Sequence, residues 1–368
     1  MTTTTTTTVA EREDLRAAIR GFLADRLPES TVRELIDTDT GFDARAWTQL
    51  SGELGLAGLL VPEEHGGQGL STVELGIALQ ESGRALLGAP FLGSAVLATW
   101  ALVASGDDAT AKGLFPALAD GSTVAALGID DDPQAPVLAV PDGDGWRLTG
   151  AKRHVVDVAA AGTFLVTADL DGGVGLFLVP SSGDGVTVEQ TGSLDLTRRL
   201  GVVRLDGVTA QRVGTDFAAG LESVRELGAF ACAAEQAGIA GRCLEIAVEY
   251  ARTREQFGKP IGSFQAIKHQ LAEHLARVEQ MRAAVTAAAA ELATSPGDAR
   301  EIVSVVKAYC GDAGTAVAEG LIDTHGGIGF TWEHVAHLYL RRMKTLAYLF
   351  GSPAEHRARL AAGFGLTG

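Results

Sequence analysis

The hydrophobic period of this chain changes twice, and that double switch constrains the fold more than any other feature. Over residues 9–27, apolar side chains recur at Leu15, Ile19, Phe22 and Leu23 among charges. That 3.6-residue period predicts a helix, ended by Pro28. Residues 43–54 and 72–87 repeat it, with Ser71 or Thr72 as cap of the second. Residues 89–119 predict short helices broken by Pro90, Gly106 and Pro116. Near Gly121 the pattern turns to short β-type runs at 137–140, 146–148, 164–168, 174–179, 186–189 and 202–205. Asp142-Gly143, Asp144-Gly145, Gly172-Gly173 and Asp184-Gly185 punctuate them as turns. From about Phe217 the helical period returns, over 222–253, 263–294, 298–323 and 332–350. The prediction is an α+β chain: an N-terminal helical domain (1–120), a middle antiparallel β-barrel or sandwich (121–215) and a C-terminal four-helix bundle (216–368).

Charge narrows the partners. Asp and Glu number 46 against 30 Lys and Arg, a net charge of −16. Such a chain repels nucleic acid and anionic membrane, although a local basic pocket for a small anion is compatible with it. No apolar stretch reaches the roughly 20 residues a membrane span needs. Met1 is followed by threonines, without the basic and apolar regions of a signal peptide. The run Thr2 to Thr8 reads as disordered. Cys232, Cys243 and Cys310 are odd in number and lie in alanine-rich helical sequence, which predicts buried free thiols and a cytoplasmic location. His334 and His337 share a helix face, but no third ligand at suitable spacing makes them a metal site; they read as surface or interface histidines. The GxGxxG match at 363–368 has no helix after it, so it carries no dinucleotide argument.

Two segments do carry chemistry. In the first, Tyr250 to Gln265, a long helix ends in arginines, Gly258 and Pro260 stop it, and Ser263 caps the next helix. The corner presents Arg254, an aromatic ring and an amide, groups suited to phosphate and a base; a plain helix hairpin is the alternative. In the second, His325-Gly326-Gly327-Ile328-Gly329, three glycines leave backbone N–H groups open beside a helix start capped by Thr331, a place for pyrophosphate. A glycine-rich interhelical turn is the alternative.

Together these segments resemble the acyl-CoA dehydrogenase family, as do Val61-Pro62-Glu63-Glu64-His65-Gly66-Gly67 and Gly150-Ala151-Lys152. The resemblance implies the acyl-CoA dehydrogenase fold, a tetramer, FAD bound across subunits, and flavin-dependent α,β-dehydrogenation of an acyl-CoA thioester of fatty acid or steroid side-chain type. It implies that Arg254, Phe257 and Gln265 contact FAD phosphate and adenine. Gly326 and Gly327 are implied to reach the same cofactor from a neighbouring subunit. An electron-transferring flavoprotein is the implied electron acceptor.

The sequence departs from the family at the base. The two positions where the family carries its glutamate hold Phe350 and Gly228. The nearest carboxylates are Glu226, which two residues before Gly228 points away, and Glu235, which seven residues after it returns to about the same helix face and is the candidate base, with an interhelical hydrogen-bond or ion-pair partner as the alternative reading. His154 and Val156 replace the flavin-flanking aromatic and threonine, and Asp323 replaces a glutamine ahead of the glycine cluster. These departures leave two further expectations open: a non-catalytic partner subunit of a heteromeric acyl-CoA dehydrogenase, or an acyl-CoA binding protein without redox activity.

Overall fold

The computed structural model describes residues 7–143, 145–295 and 299–366. Helix α1 (Val9–Arg26) is opened by a reciprocal cap between Thr8 and Glu11. The predicted disorder of the threonine run therefore does not extend to Thr8; Met1 to Thr6 lie outside the described residues. Pro28 ends α1 as expected and also opens α2 (Glu29–Ile36), which the sequence reading did not predict. Helix α3 (Ala44–Leu54) is capped by Asp43 and α4 (Thr72–Arg84) by Ser71 with Glu74. A π-helical segment, Phe91–Ala98, leads into α5 (Thr99–Ser105) and α6 (Asp108–Ala119). Pro116 lies inside α6 and does not break it. Its missing N–H deprives only the Lys112 carbonyl, in the helix's last turns.

The strands are β1 (Ala125–Gly128), β2 (Asp130–Asp131), β3 (Leu138–Asp142), β4 (Gly145–Val156), β5 (Thr163–Leu170), β6 (Gly173–Pro180), β7 (Val186–Gln190) and β8 (Leu200–Val213). Their order is β2-β4-β3-β5-β6-β8-β7, and β4 also pairs with β8. That extra pairing closes β4, β3, β5, β6 and β8 into a ring, so the barrel alternative is the one realised. Its pairs are mainly antiparallel, but β3 and the added strand β1 both run parallel to β5. The barrel has its own core of Phe164, Phe177, Leu148, Val203 and Val208. The turn predicted at Asp144 falls outside the described residues.

Helix α7 (Ala218–Thr253) crosses the centre of the molecule. Between Leu227 and Gly241 nearly every residue is buried, which fits an apolar stretch without a solvent face. It meets α4 at very close range. A Cβ on Gly238 would sit 1.8 Å from the Gln80 carbonyl oxygen, and one on Gly83 would sit 2.2 Å from that of Glu235, so both positions require glycine. A hairpin of β9 (Glu255–Gln256) and β10 (Lys259–Pro260) follows, then α8 (Gln265–Thr294), α9 (Arg300–His325), α10 (Ala336–Tyr348) and α11 (Pro353–Gly363). Among the described residues the C-terminal part thus has five α-helices where four were predicted. α11 packs on α9 and is opened by Pro353 and a Ser352–Glu355 capping box. The predicted start of α9 at Asp298 lies outside the described residues.

All three cysteines are free and buried. Burial pushes the Cys232 thiol up to about 11 and that of Cys310 to about 12, so both stay protonated and inert.

Candidate functional site

The arginine corner is a small hairpin. The Ile261 N–H donates to the Arg254 carbonyl at 2.8 Å, and Gln256 pairs with Lys259. Phe257 and Gly258 form a two-residue turn with φ of +54° and +75°, the geometry that suits the twist of paired strands. The turn pushes the Phe257 ring outward, 91% exposed, with only its edge toward Phe264. Gln265 starts α8; no side chain caps that helix, because Ser263 belongs to a preceding 3-10 turn. Arg254 is exposed, and its guanidinium has no hydrogen-bond or ion-pair partner among the described residues.

The glycine turn lies beside it. Gly326–Phe330 is a 3-10 turn at the end of α9, and Cβ atoms on Gly326 or Gly327 would meet nothing within 4 Å. Thr331 does not cap α10, which starts at Ala336; its hydroxyl donates to Ile328 O instead. The Tyr250 ring, four residues before Arg254, stacks on His325, immediately before Gly326, and His325 packs on His334 at 4.1 Å. The two stretches expected to meet between protomers are therefore neighbours within one chain, and both are open to solvent. Of the surface or interface placement expected for His337, the surface one does not hold. The His337 ring is buried against Trp332, and burial, with Arg341 and Arg33 nearby, pushes it down to about 4.

A cleft of about 860 Å³ lies between the barrel and the C-terminal helices. Ile129, Asp130 and His154 come from β-sheet segments, Arg225 from α7, and Arg341, Lys344, Tyr348 and Phe350 from α10 and the loop after it. Arg359 on α11 completes the cationic side. The cleft carboxylates are Asp130, 3.7 Å from His154 Nδ1, and Glu355. Hydrogen bonds from the Ser352 backbone and hydroxyl hold Glu355 below its ordinary range, which makes it a poor proton acceptor.

Glu235 does not line this cleft. It is fully buried, both carboxylate oxygens accept from Arg198 Nη2 at 2.7 Å, and Oε2 also accepts from Arg342 Nη1 at 3.2 Å. Arg342 in turn donates to Thr197 Oγ1 and to the Leu87 and Thr197 carbonyls, and lies 3.3 Å from Asp195. The expectation of a catalytic Glu235 is corrected on this point: a base needs a lone pair that a ligand can reach, and this carboxylate is enclosed by two guanidinium groups. The alternative, an interhelical ion-pair partner, is the geometry found. Asp157 lies beside the cluster, accepts from Gly93 N at 2.9 Å, and is pushed up to about 6 by burial.

Phe350 and Gly228 are in contact. A Cβ on Gly228 would lie 2.5–2.7 Å from three ring carbons of Phe350. Sequence reasoning missed two residues here. Lys307 is fully buried and donates to the Leu346, Ala347 and Gly351 carbonyls at 2.8, 2.9 and 3.0 Å, and His356 Nε2 lies 3.0 Å from the Phe350 carbonyl. Neither has a motif that announces it, because a lysine bonded to carbonyls leaves no paired acid in the sequence.

Residues 9–122 match the family model for the acyl-CoA dehydrogenase N-terminal domain, and residues 223–364 match that for the C-terminal domain. The acyl-CoA dehydrogenase IpdE2 of Mycobacterium tuberculosis is 34% identical over 95% of this chain and 96% of its own. The ChsE4–ChsE5 complex from Mycobacterium tuberculosis superposes with a TM-score of 0.91 at 31% identity, covering 99% of both chains. A variant of the Tcur3481–Tcur3483 steroid ACAD gives 0.88 at 31% identity, over 97% of this chain and 98% of that one. Among the described residues there is no cluster of ligands for a metal ion and no helix long and apolar enough to cross a membrane. With that layout and those matches along nearly its whole length, the chain belongs to the acyl-CoA dehydrogenase family.

Proposed function

We propose that this chain holds FAD at the Arg254 corner and the Gly326–Gly327 turn, and takes part in α,β-dehydrogenation of an acyl-CoA thioester, with the proton-accepting carboxylate supplied by a related partner chain. The observation that carries the first part is the Tyr250–His325 stack, which sets an unpartnered guanidinium beside an open glycine backbone. These groups fit a dinucleotide. Arg254 would bind phosphate, the Gly326 and Gly327 N–H groups would donate to a second phosphate oxygen, and Phe257 and Gln265 would offer a ring face and an amide to adenine. FAD, when bound, supplies the hydride acceptor. Of the cations lining the cleft, Arg225 and Lys344 are paired with Glu222 and Glu319, and Arg341 and Arg359 offer positive charge to the phosphates of the thioester carrier.

The observation that favours a partner is Phe350 against Gly228. One ring occupies the space that serves both usual base positions, and Glu235, a buried carboxylate on the same helix as Gly228, is committed to Arg198 and Arg342. Two relatives of known structure carry paired names, ChsE4–ChsE5 and Tcur3481–Tcur3483, which agrees with a heteromeric assembly. The electron acceptor in this reading is an electron-transferring flavoprotein.

The test is to purify the chain alone and co-expressed with a related chain, then measure bound flavin and acyl-CoA-dependent reduction of an artificial acceptor. Flavin with no turnover alone, and turnover with the partner, is the expected result. Turnover by the homomeric protein overturns the partner. A protein that binds no FAD in either preparation overturns the reading as a whole.

A further inference from the structure

Apart from the cleft and the arginine corner, the N-terminal helices and the bundle enclose two adjoining cavities of about 370 and 320 Å³, each within the size range of small-molecule sites. Arg20 of α1 and Glu81 and Arg84 of α4 belong to the walls of both, so they stand at the junction. Arg16 and Arg282 face the smaller cavity, and Arg242 and Tyr339 the larger one. A chain with a net charge of −16 thus gathers five guanidinium groups around one space.

Two carboxylates hold these arginines in place and leave donors over. Buried Glu81 accepts from Arg20 Nε and Nη2 at 2.8 Å each and from Arg16 Nη1 at 3.2 Å. Glu245 accepts from Arg84 Nη1 and Nη2 at 2.6 and 2.5 Å and from Arg242 Nη1 at 3.3 Å. Arg20 Nη1 and Arg84 Nε have no hydrogen-bond partner among the described residues. Glu13, 3.8 Å from Arg16, and Glu279, 2.6 Å from Arg282, are mostly exposed, so solvent and salt screen them. Glu29, the other carboxylate in the walls, is engaged by Arg33. The interior therefore holds more positive than negative charge, on forks already oriented before a ligand arrives.

Beyond the junction the larger cavity continues over Leu23, Leu27, Val32 and Ile246. Arg20 and Leu27 lie about 10 Å apart along the helix axis. One end of the space is cationic and the other apolar.

We propose that this space is a second ligand site, one that takes a small phosphate monoester with a short apolar body. The phosphate sits among Arg20, Arg84 and Arg242, and the body lies along Leu23, Leu27 and Ile246. A phosphate monoester is a dianion above about pH 6, so it offsets the excess charge better than a carboxylate does, and its three terminal oxygens can meet three guanidinium groups.

The test titrates hexyl phosphate, inorganic phosphate and hexanoate by calorimetry into the full chain with saturating FAD, at pH 8 in phosphate-free buffer. Hexyl phosphate is expected to bind at least about tenfold more tightly than either of the others. Inorganic phosphate lacks the methylenes, each worth about fourfold when buried, and hexanoate lacks the second charge. Arg20→Gln is expected to weaken hexyl phosphate by about tenfold or more, while Glu81 keeps Arg16. Arg242→Gln, which removes the most loosely held of the three guanidinium groups, is the second variant if the first does not fold, and the same loss is expected. No binding of hexyl phosphate, or binding that the folded variants leave intact, overturns the site. Hexanoate bound as tightly as hexyl phosphate overturns the choice of a phosphate.

Discussion

The Tyr250 ring stacks on that of His325 with centroids 4.0 Å apart and planes 25° from parallel. Through this contact the end of α7, which leads to Arg254, and the end of α9, which leads to Gly326, are packed together. The stack is worth about 0.5–1.5 kcal/mol beyond its buried area. His325→Ala should therefore loosen the glycine turn and weaken FAD binding by roughly twofold to tenfold, while helical content by circular dichroism is unchanged. Unaltered FAD affinity would separate the stack from the cofactor.

Glu235 is expected to act on stability. In Glu235→Gln, Arg198 and Arg342 lose the carboxylate they share, and removing one partner of a buried pair costs about 3–5 kcal/mol. Urea unfolding measures this directly. A variant as stable as the natural protein but without activity in the assembled enzyme would restore Glu235 as the base.

Asp157 gives a pH signature. Burial raises it to about 6 in the fold, so the folded state binds its proton more tightly than the unfolded state does. Its contribution is greatest below the unfolded value near 4 and is lost as pH rises through about 6. The stability of the natural protein relative to Asp157→Asn should accordingly fall by about 2 kcal/mol between pH 4 and pH 7. A pH-independent difference would contradict the placement of that carboxyl.

Lys307 closes the last turn of α10. Lys307→Met removes a donor from three carbonyls at once and should cost at least about 2 kcal/mol in urea unfolding. Because the same loop positions Phe350, tryptophan-independent cleft probes such as bound acyl-CoA should also show altered affinity. A variant with unchanged stability and binding would remove Lys307 from the account.

Much of the architecture was legible in the hydrophobic period, because long segments such as α7 and α8 repeat it many times. Short elements were not. Pro28 was read as a stop, although a proline ends one helix and begins the next equally well. α11 carried a readable signal, Ser352-Pro353 with Glu355 three residues after the serine, that the period alone does not reveal. At the candidate site, Arg254, Phe257, Gly326 and Gly327 could be singled out because they sit in fixed local spacing. Their union within one chain did not, since Tyr250 and His325 are distant in sequence. The fate of Glu235 was also hidden: its partners, Arg198 and Arg342, come from the loop before β8 and from α10, and only the close crossing of the elements brings them together.

The central claim is that the exposed corner and the glycine turn hold a phosphate of FAD. It is tested most directly by titrating FAD into the apo forms of the natural protein and Arg254→Ala, with parallel thermal unfolding of both. The expected result is FAD affinity lower by roughly tenfold to hundredfold in the variant, the loss of a charge-assisted hydrogen bond, with the apo forms unfolding at the same temperature. Equal FAD affinity, or an apo variant destabilised as much as its flavin binding is weakened, would contradict it.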